Sequence, residues 1–228
     1  EQLGIPVYPS IPLSKGQSLI EVNLKSNGRA STDSLLLAVN NPADLAVESL
    51  RSLRTSLHFA TLEAKNNILM ISGPSPAVGK SFVSCNLAAI IAQTGQKVLL
   101  VDADMRKGYL NKMFRKDVSN GLSDLLAGKI DLNTATHATE VENLHVITRG
   151  QIPPNPSELL MHSNFTQFLE NVSGLYDLEP IRLCYLNEKL RLDAAEAERN
   201  SPIRHLPARS APLVVTVGLG ELPELIRQ

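Results

Sequence analysis

The sequence predicts an α/β fold, in which helices cover both faces of a parallel sheet. Two short, largely apolar segments, 68–71 and 97–102, are too short for helices and indicate buried strands. They begin about 29 residues apart with a helical pattern between them, which is the size of one right-handed βαβ unit. Strands that are apolar on both sides need helices on both faces of their sheet.

The other elements continue this alternation. A helix is expected over 43–64, because apolar residues recur at spacings of three and four from Ala46 to Ala60. A second helix is expected over 80–93, with Gly95 as its stop. The pattern then predicts, in order, a short helix over 121–127, a strand over 144–147 and a helix over 157–172.

Composition excludes several classes of protein. The chain has 228 residues, 43% of them hydrophobic, and 22 Lys and Arg against 23 Asp and Glu. A balanced charge argues against a nucleic-acid partner. The two cysteines and five histidines do not have the spacing of a disulfide framework or a metal site. No apolar run approaches the roughly 20 residues of a membrane span, so we expect this segment alone to be soluble and without membrane contact.

Three regions are expected along the chain. Residues 1–43 contain alternating prolines and then a stretch rich in Ser, Asn and Gly, as is typical of a linker. Residues 44–178 contain the predicted α/β domain. Residues 179–228 have scattered arginines and prolines without a clear pattern. Because the chain starts with Glu1 and not Met, we expect the linker to follow a missing N-terminal region.

A candidate phosphate-binding loop lies between the first predicted strand and its helix. Backbone N–H groups of such a loop bind phosphate oxygens, while the lysine reaches the β- and γ-phosphates and the serine hydroxyl ligates Mg²⁺. Gly79-Lys80-Ser81 follows a predicted strand and begins a predicted helix, and this context favours phosphate binding over a chance occurrence of the three residues. The motif departs from the usual pattern at Pro74, where that pattern has glycine. The predicted binding residues are Gly73, Pro74, Ser75, Pro76, Ala77, Val78, Gly79, Lys80, Ser81 and Phe82.

A second candidate motif follows the next strand. Asp102 and Asp104 come directly after an apolar run, and Arg106 follows them. Carboxyl ends of parallel strands are where open α/β sheets bind ligands. Two close carboxylates suit Mg²⁺ or its water shell, or a base that takes a proton from a hydroxyl. The alternative is a pair of solvated turn residues.

Together these motifs resemble the cytoplasmic kinase domain of the bacterial tyrosine kinases, or BY-kinases, of Wzc-type polysaccharide co-polymerases. The first motif matches the family's Walker A motif and the second its Walker A′ motif. Glu48, Arg51 and Arg54 match its Glu-x2-Arg-x2-Arg motif, and residues 149–160 match another stretch of these kinases. The resemblance covers about residues 1–177 and implies a P-loop NTPase-like fold of the MinD/ParA type.

The resemblance also implies a function. It predicts an ATP- and Mg²⁺-dependent protein-tyrosine autokinase that regulates capsular or exopolysaccharide synthesis and export, at the cytoplasmic face of the bacterial inner membrane. Lys80, Asp102 and Asp104 would be catalytic, with Ser81, Asp102 and Asp104 as metal ligands, direct or through water. The helix with Glu48, Arg51 and Arg54 would join copies into a ring, although a solvated Glu–Arg pair is the alternative for this triplet. Other readings are a MinD/ParA-type ATPase switch and an inactive nucleotide-binding scaffold fragment.

The resemblance ends after Leu178. The family continues there with an apolar strand that ends in Asp-x-Pro-Pro, its Walker B motif, whereas this chain continues with Glu179-Pro-Ile-Arg-Leu-Cys. The family's tyrosine-rich C-terminal cluster is also missing, since the chain has only four tyrosines. We therefore expect a sheet that is incomplete at its C-terminal end. A frame change or rearrangement in the coding DNA or a misread sequence is the favoured explanation of the tail, and true divergence is the alternative.

Overall fold

The computed structural model describes residues 10–17, 34–61, 68–71, 78–173, 175–176 and 181–182. Within these, residues 15–17 are helical, and the other elements are taken in chain order. The helices are α1 (Leu37–Asn40), α2 (Leu45–Thr61), α3 (Lys80–Ala92), α4 (Leu110–Met113), α5 (Leu122–Leu126), α6 (Leu132–Ala135), α7 (Pro156–Met161) and α8 (Ser163–Val172). The strands are β1 (Val98–Asp102), β2 (His137–Ala138), β3 (Leu144–Ile147) and β4 (Ile181–Arg182).

The sheet has the strand order β2-β3-β1-β4. β1 is parallel to both β3 and β4, which confirms the predicted parallel arrangement for these strands. β2 was not predicted, and it pairs antiparallel with β3. The connection between β2 and β3 is too short for a crossover, and Asn143 takes a positive φ of 64° within it, so the chain turns back as a hairpin.

Helices cover both faces of β1, as predicted. Val98 and Leu100 pack into one cluster with residues of α1, α2, α3 and α4. Leu99 and Val101 pack into a second cluster with residues of α5, α7 and α8. All four side chains are fully buried. Alternate residues of a strand face opposite sides, so an apolar run of this length requires a helical layer on each side.

Two predicted helices have nearly the predicted bounds. In α2, Asp44 Oδ1 accepts a hydrogen bond from Ala46 N at 2.8 Å, which satisfies one of the free N–H groups of the first turn. α3 starts at Lys80 as predicted, and the chain leaves it through Gly95, whose φ is +89°. Gly95 N donates to Ala92 O at 2.9 Å, so this glycine closes the helix end.

The predicted helix over 157–172 is wrong in one respect, because the structure has two helices there. His162 has an extended conformation (ψ 150°) between α7 and α8. Its Nδ1 accepts a hydrogen bond from Asn164 N at 3.2 Å, and so it caps the second helix. The predicted strand over 68–71 is present as isolated bridges at Ile68 and Met70.

Part of the predicted linker packs into the domain. Leu35, Leu36, Leu37 and Ala38 are buried in the first core cluster, and Ala38 N donates to the Asn86 side chain in α3 at 2.8 Å. The described residues 34–41 therefore belong with the core, in contrast to the linker expected over 1–43. The boundaries of the three regions otherwise stay predictions, since most of 1–33 and all of 183–228 lie outside the described residues.

The end of the sheet also differs from expectation. The sequence predicts no strand after Leu178, yet Ile181 and Arg182 of β4 pair with Val101 and Asp102 of β1. The strand therefore exists, but neither of its two residues is acidic. Within the described residues, no helix is long and apolar enough to cross a membrane.

Candidate active site

The first part of the site is the N-terminus of α3. Gly79 takes a φ of +90°, a conformation that favours glycine, and turns the chain into the helix. Lys80 is the first helical residue and is 8% exposed, and Ser81 is half-buried beside it. A helix N-terminus with a lysine is suited to binding phosphate. Val78 is exposed and Phe82 packs against the first core cluster, while residues 73–77 of the predicted loop lie outside the described residues.

The second part is Asp102, the last residue of β1, which is fully buried. Its Oδ1 accepts a hydrogen bond from Asp104 N at 3.2 Å, and its Oδ2 accepts one from Leu110 N at 3.0 Å. The first bond joins the strand to the turn that follows it, and the second joins it to the first residue of α4. The orientation of the carboxylate is therefore fixed by the backbone on the C-terminal side of the strand.

Asp104 organises the turn that follows β1. Its Oδ1 accepts hydrogen bonds from Arg106 N at 3.3 Å and Lys107 N at 2.8 Å. Its carbonyl oxygen accepts one from Gly108 N at 2.7 Å. The side chain is 7% exposed, whereas that of Arg106 is exposed, so Arg106 contributes to this turn through its backbone.

Connectivity brings these two parts to the same edge of the sheet. α3 packs against β1, and the short turn 93–97 joins the C-terminal end of α3 to the N-terminal end of β1. A 13-residue helix and a five-residue strand have lengths of roughly 20 Å and 16 Å. Since they run in opposite directions, the N-terminus of α3 with Lys80 lies toward the end of β1 that carries Asp102. The structure thus places the predicted lysine and acidic pair on one side of the sheet.

A third segment reaches this edge, and sequence reasoning assigned it no chemistry. Residues 148–151, here called the edge loop, directly follow β3, the parallel neighbour of β1. A Cβ added to Gly108 would lie 2.6 Å from Arg149 Cδ and 2.7 Å from Asp102 Oδ2. The Arg149 side chain therefore packs against Gly108 next to the Asp102 carboxylate. The available signal in the sequence is the position of Arg149, two residues after the apolar strand that ends at Ile147.

The donor set fits Mg²⁺. Ser81, Asp102 and Asp104 offer hydroxyl and carboxylate oxygens, which are the ligands that this hard cation prefers. Within the described residues, no three His, Cys, Asp or Glu side chains form a metal-binding cluster. Mg²⁺ is commonly bound by one or two carboxylates and keeps several waters or nucleotide phosphates as further ligands, so a donor set of this size matches its usual protein ligands.

The predicted oligomerisation residues lie on α2. Arg51 Nη1 donates to Pro42 O at 2.9 Å and to Glu48 Oε1. The Glu48 and Arg51 side chains are 58% and 33% exposed, and Arg54 lies one turn further along at a half-buried position. The Glu48–Arg51 pair within one helix is present, as expected if these residues only form a solvated ion pair. Contact of this helix with another copy of the chain stays a prediction.

Solved structures resemble this chain over nearly its whole length. The kinase domain of Escherichia coli tyrosine kinase ETK has 38% sequence identity and a TM-score of 0.70, and the match covers 98% of this chain and 93% of that domain. The chain belongs to the bacterial tyrosine-kinase (BY-kinase) domain family. The BceF tyrosine kinase domain is similar as well, at 32% identity and a TM-score of 0.71, with 96% and 95% of the two chains covered.

Sequence comparisons agree with this family. A family model described as an AAA domain matches residues 66–178. Tyrosine-protein kinase wzc of Salmonella typhimurium is 50% identical over 179 residues, and tyrosine-protein kinase etk of Escherichia coli K12 is 52% identical over 184 residues. Each match covers 78% of this chain and 25% of the relative, so the chain spans about a quarter of the length of these curated relatives. The predicted family, the P-loop NTPase-like α/β fold and the assignment to protein-tyrosine kinases by family are confirmed.

Proposed function

We propose that this chain is the nucleotide-binding catalytic domain of a protein-tyrosine autokinase that uses ATP and Mg²⁺. The observation that carries the proposal is that Lys80, at the N-terminus of α3, lies toward the same edge of the sheet as Asp102 and Asp104. Membership of the BY-kinase family favours phosphotyrosine formation over a MinD/ParA-type ATPase switch.

Each residue has a separate task in this proposal. Lys80 stabilises negative charge on the phosphoryl group that is transferred, at a helix N-terminus that already favours anions. The hydroxyl of Ser81 and the carboxylates of Asp102 and Asp104 hold Mg²⁺, directly or through water. When bound, Mg²⁺ neutralises charge on the phosphates. Asp102 and Asp104 also share the role of the base that accepts the proton of the tyrosine hydroxyl.

The whole protein is proposed to regulate capsular or exopolysaccharide synthesis and export at the cytoplasmic face of the bacterial inner membrane. The support is the BY-kinase family and the greater length of its curated relatives, which leaves room for a membrane anchor in the whole protein. The proposed partners are the polysaccharide export machinery and further copies of this chain, which would meet through α2 with Glu48, Arg51 and Arg54. Neither nucleic acid nor direct membrane contact of this segment is part of the proposal.

One incubation with ATP and Mg²⁺ separates the three candidate functions. A kinase forms phosphotyrosine, which mass spectrometry detects. An ATPase switch releases inorganic phosphate and forms no phosphotyrosine. A scaffold binds nucleotide in a titration and forms neither product. We expect phosphotyrosine from a version of the domain with the family's C-terminal end restored, and its absence there would contradict the proposal.

A further inference from the structure

Hydrogen bonds fasten the edge loop to the start of α5. Leu122 N donates to Thr148 O at 2.8 Å, and Ser123 N donates to Arg149 O at 3.0 Å. The Ser123 hydroxyl donates to Gln151 O at 2.6 Å. Three of the four carbonyl groups of the edge loop, those of Thr148, Arg149 and Gln151, thus accept hydrogen bonds from two neighbouring residues of α5. The loop has little freedom to move relative to α5.

The carboxylate of Asp124 strengthens this connection. Its Oδ2 accepts hydrogen bonds from Gly121 N and Gln151 N, both at 3.3 Å. Lys129 Nζ lies 3.9 Å from Oδ1, and Asp124 is only 7% exposed. Hydrogen bonds to a charged acceptor are stronger than those between neutral groups. One buried side chain therefore joins the N-terminus of α5 to the edge loop.

Two glycines make this contact close. A Cβ on Gly121 would lie 2.1 Å from Gly150 N. Gly150 has a φ of +81°, and a Cβ there would lie 2.3 Å from Ser123 Oγ and 2.9 Å from Asp124 Oδ2. Side chains at either position would force the loop away from the helix. The backbone of the edge loop can approach Asp124 only because both positions are glycine.

The edge loop in turn reaches the acidic pair through Arg149. The stem of this side chain packs on Gly108, within the turn that Asp104 organises and beside Asp102. Arg149 Nη1 donates to Gly150 O at 3.3 Å, and its buried Nε has no hydrogen-bond partner among the residues that the structure describes. The placement of Arg149 over Gly108 therefore depends on the edge loop that carries it.

We propose that Asp124 is a positioning residue for the metal-binding acidic pair. It holds the edge loop, the loop keeps Arg149 packed on Gly108, and this contact keeps Asp102 and Asp104 in the geometry that receives nucleotide-bound Mg²⁺. The inference rests on the proposed nucleotide and Mg²⁺ site. The inference adds Asp124 to that site as a residue that acts only through the edge loop, without contact to nucleotide or metal.

The test compares two forms of one nucleotide. ADP binding is measured by isothermal titration with Mg²⁺ and with a chelator, for the wild-type chain and for Asp124→Ala and Asp124→Asn. Asp124→Ala removes two charge-assisted hydrogen bonds, and we expect it to weaken Mg²⁺-ADP binding about tenfold. Metal-free ADP depends on the start of α3, so its affinity should change less than about twofold. Asp124→Asn retains an amide oxygen that can accept both bonds, and should restore most of the affinity.

Two further variants make the result specific. Asp117→Ala is the matched control, because this exposed carboxylate also accepts backbone hydrogen bonds, from Val118 and Ser119, but lies outside the edge loop contacts. It should leave both affinities unchanged. Arg149→Ala, at a half-buried position, removes the stem that packs on Gly108 and should reproduce the selective loss even if Asp124→Ala does not fold. Where Asp124→Ala folds, adding it to Arg149→Ala should cost less than about a further twofold.

The outcomes separate this inference from the proposed function. Equal weakening of both nucleotide forms by Asp124→Ala, no loss with Arg149→Ala, or fully additive effects in the double variant would overturn the positioning role alone. Failure of the wild-type chain to bind either form of ADP would overturn the proposed function and this inference with it.

Discussion

Asp102, the last residue of β1, lies in register with Arg182 of the parallel strand β4. The family resemblance predicts a strand with a third acidic residue at this edge of the sheet, after Leu178. The chain does place a strand there, but its two residues are an isoleucine and an arginine. Within the residues that the structure describes, the predicted carboxylates at this edge are those of Asp102 and Asp104, where the resemblance implies three.

This difference predicts weak catalysis by the present chain. Phosphoryl transfer depends on positioning and on metal-assisted stabilisation of charge, so the loss of one carboxylate should be costly. We expect little or no phosphotyrosine after incubation with ATP and Mg²⁺, as measured by mass spectrometry. A version with the family's C-terminal end restored should form phosphotyrosine, and Lys80→Met or Asp102→Asn in that version should abolish it. The present chain has four tyrosines, which are Tyr8, Tyr109, Tyr176 and Tyr185. Robust phosphorylation of any of them would show that the third carboxylate is not needed.

Nucleotide binding should depend on Lys80. Lys80 is nearly buried at the N-terminus of α3, where its ammonium group can pair with phosphate oxygens. Lys80→Met removes this charge and should weaken ATP binding by roughly tenfold to a hundredfold, as measured by isothermal titration. Lys97→Met is the matched control, because Lys97 is exposed and precedes β1 at the end of the strand opposite Asp102. Equal affinities of Lys80→Met and the wild-type chain would place the nucleotide elsewhere.

The parts of the fold that sequence could predict are those with a long or continuous apolar pattern. α3 and β1 were predicted to within one residue, because an apolar run, a glycine stop and a second apolar run follow one another from Lys80 to Asp102. The break at His162 was not predictable in this way. The apolar spacing continues across it, and only the cap that His162 provides for Asn164 separates the two helices.

The acidic pair could be predicted from sequence, whereas its surroundings could not. Asp102 and Asp104 follow an apolar strand, and that local pattern is sufficient to identify them. The contact of Arg149 with Gly108 joins residues 41 positions apart and arises from the pairing of β1 with β3, which no periodicity reveals. The role of Asp124 depends on the same long-range pairing, since the edge loop follows β3.

The packing of Leu36 gives a prediction for stability. Leu36 is fully buried against the first core cluster, although it lies in the region predicted as a linker. Leu36→Ala should lower the free energy of unfolding by about 2–5 kcal/mol, the usual cost of such a cavity, as measured by urea denaturation. Leu13→Ala serves as control, because Leu13 is in the same predicted linker and is fully exposed, and it should change stability by less than about 0.5 kcal/mol. A similar effect of both substitutions would show that residues 34–41 do not pack as described.

Two histidines of the β2–β3 hairpin should make stability fall in mild acid. Burial, with Lys97 nearby, lowers the pKa of His145 below its ordinary value of 6.5. Burial and the nearby charge of Lys116 also lower the pKa of His137, and they outweigh Asp117, whose negative charge raises it. Because both folded-state pKa values lie below those of the unfolded chain, the unfolded chain gains protons first as the pH falls through about 6.5. The free energy of unfolding should therefore be largest above this pH and decrease below it.

His145→Phe tests the source of this dependence. The substitution keeps an aromatic ring near Tyr176, whose ring lies 5.6 Å from that of His145 in an edge-to-face arrangement, and removes the titrating group. Urea denaturation at about pH 8 and about pH 5.5 brackets the ordinary histidine pKa. The wild-type chain should lose more stability between these values than His145→Phe, since the variant no longer favours the protonated unfolded state at this position. His58→Phe, at an exposed position of α2, should lose as much as the wild-type chain. If His145→Phe also loses as much, burial of His145 does not restrain its protonation, and the acid sensitivity must come from other groups.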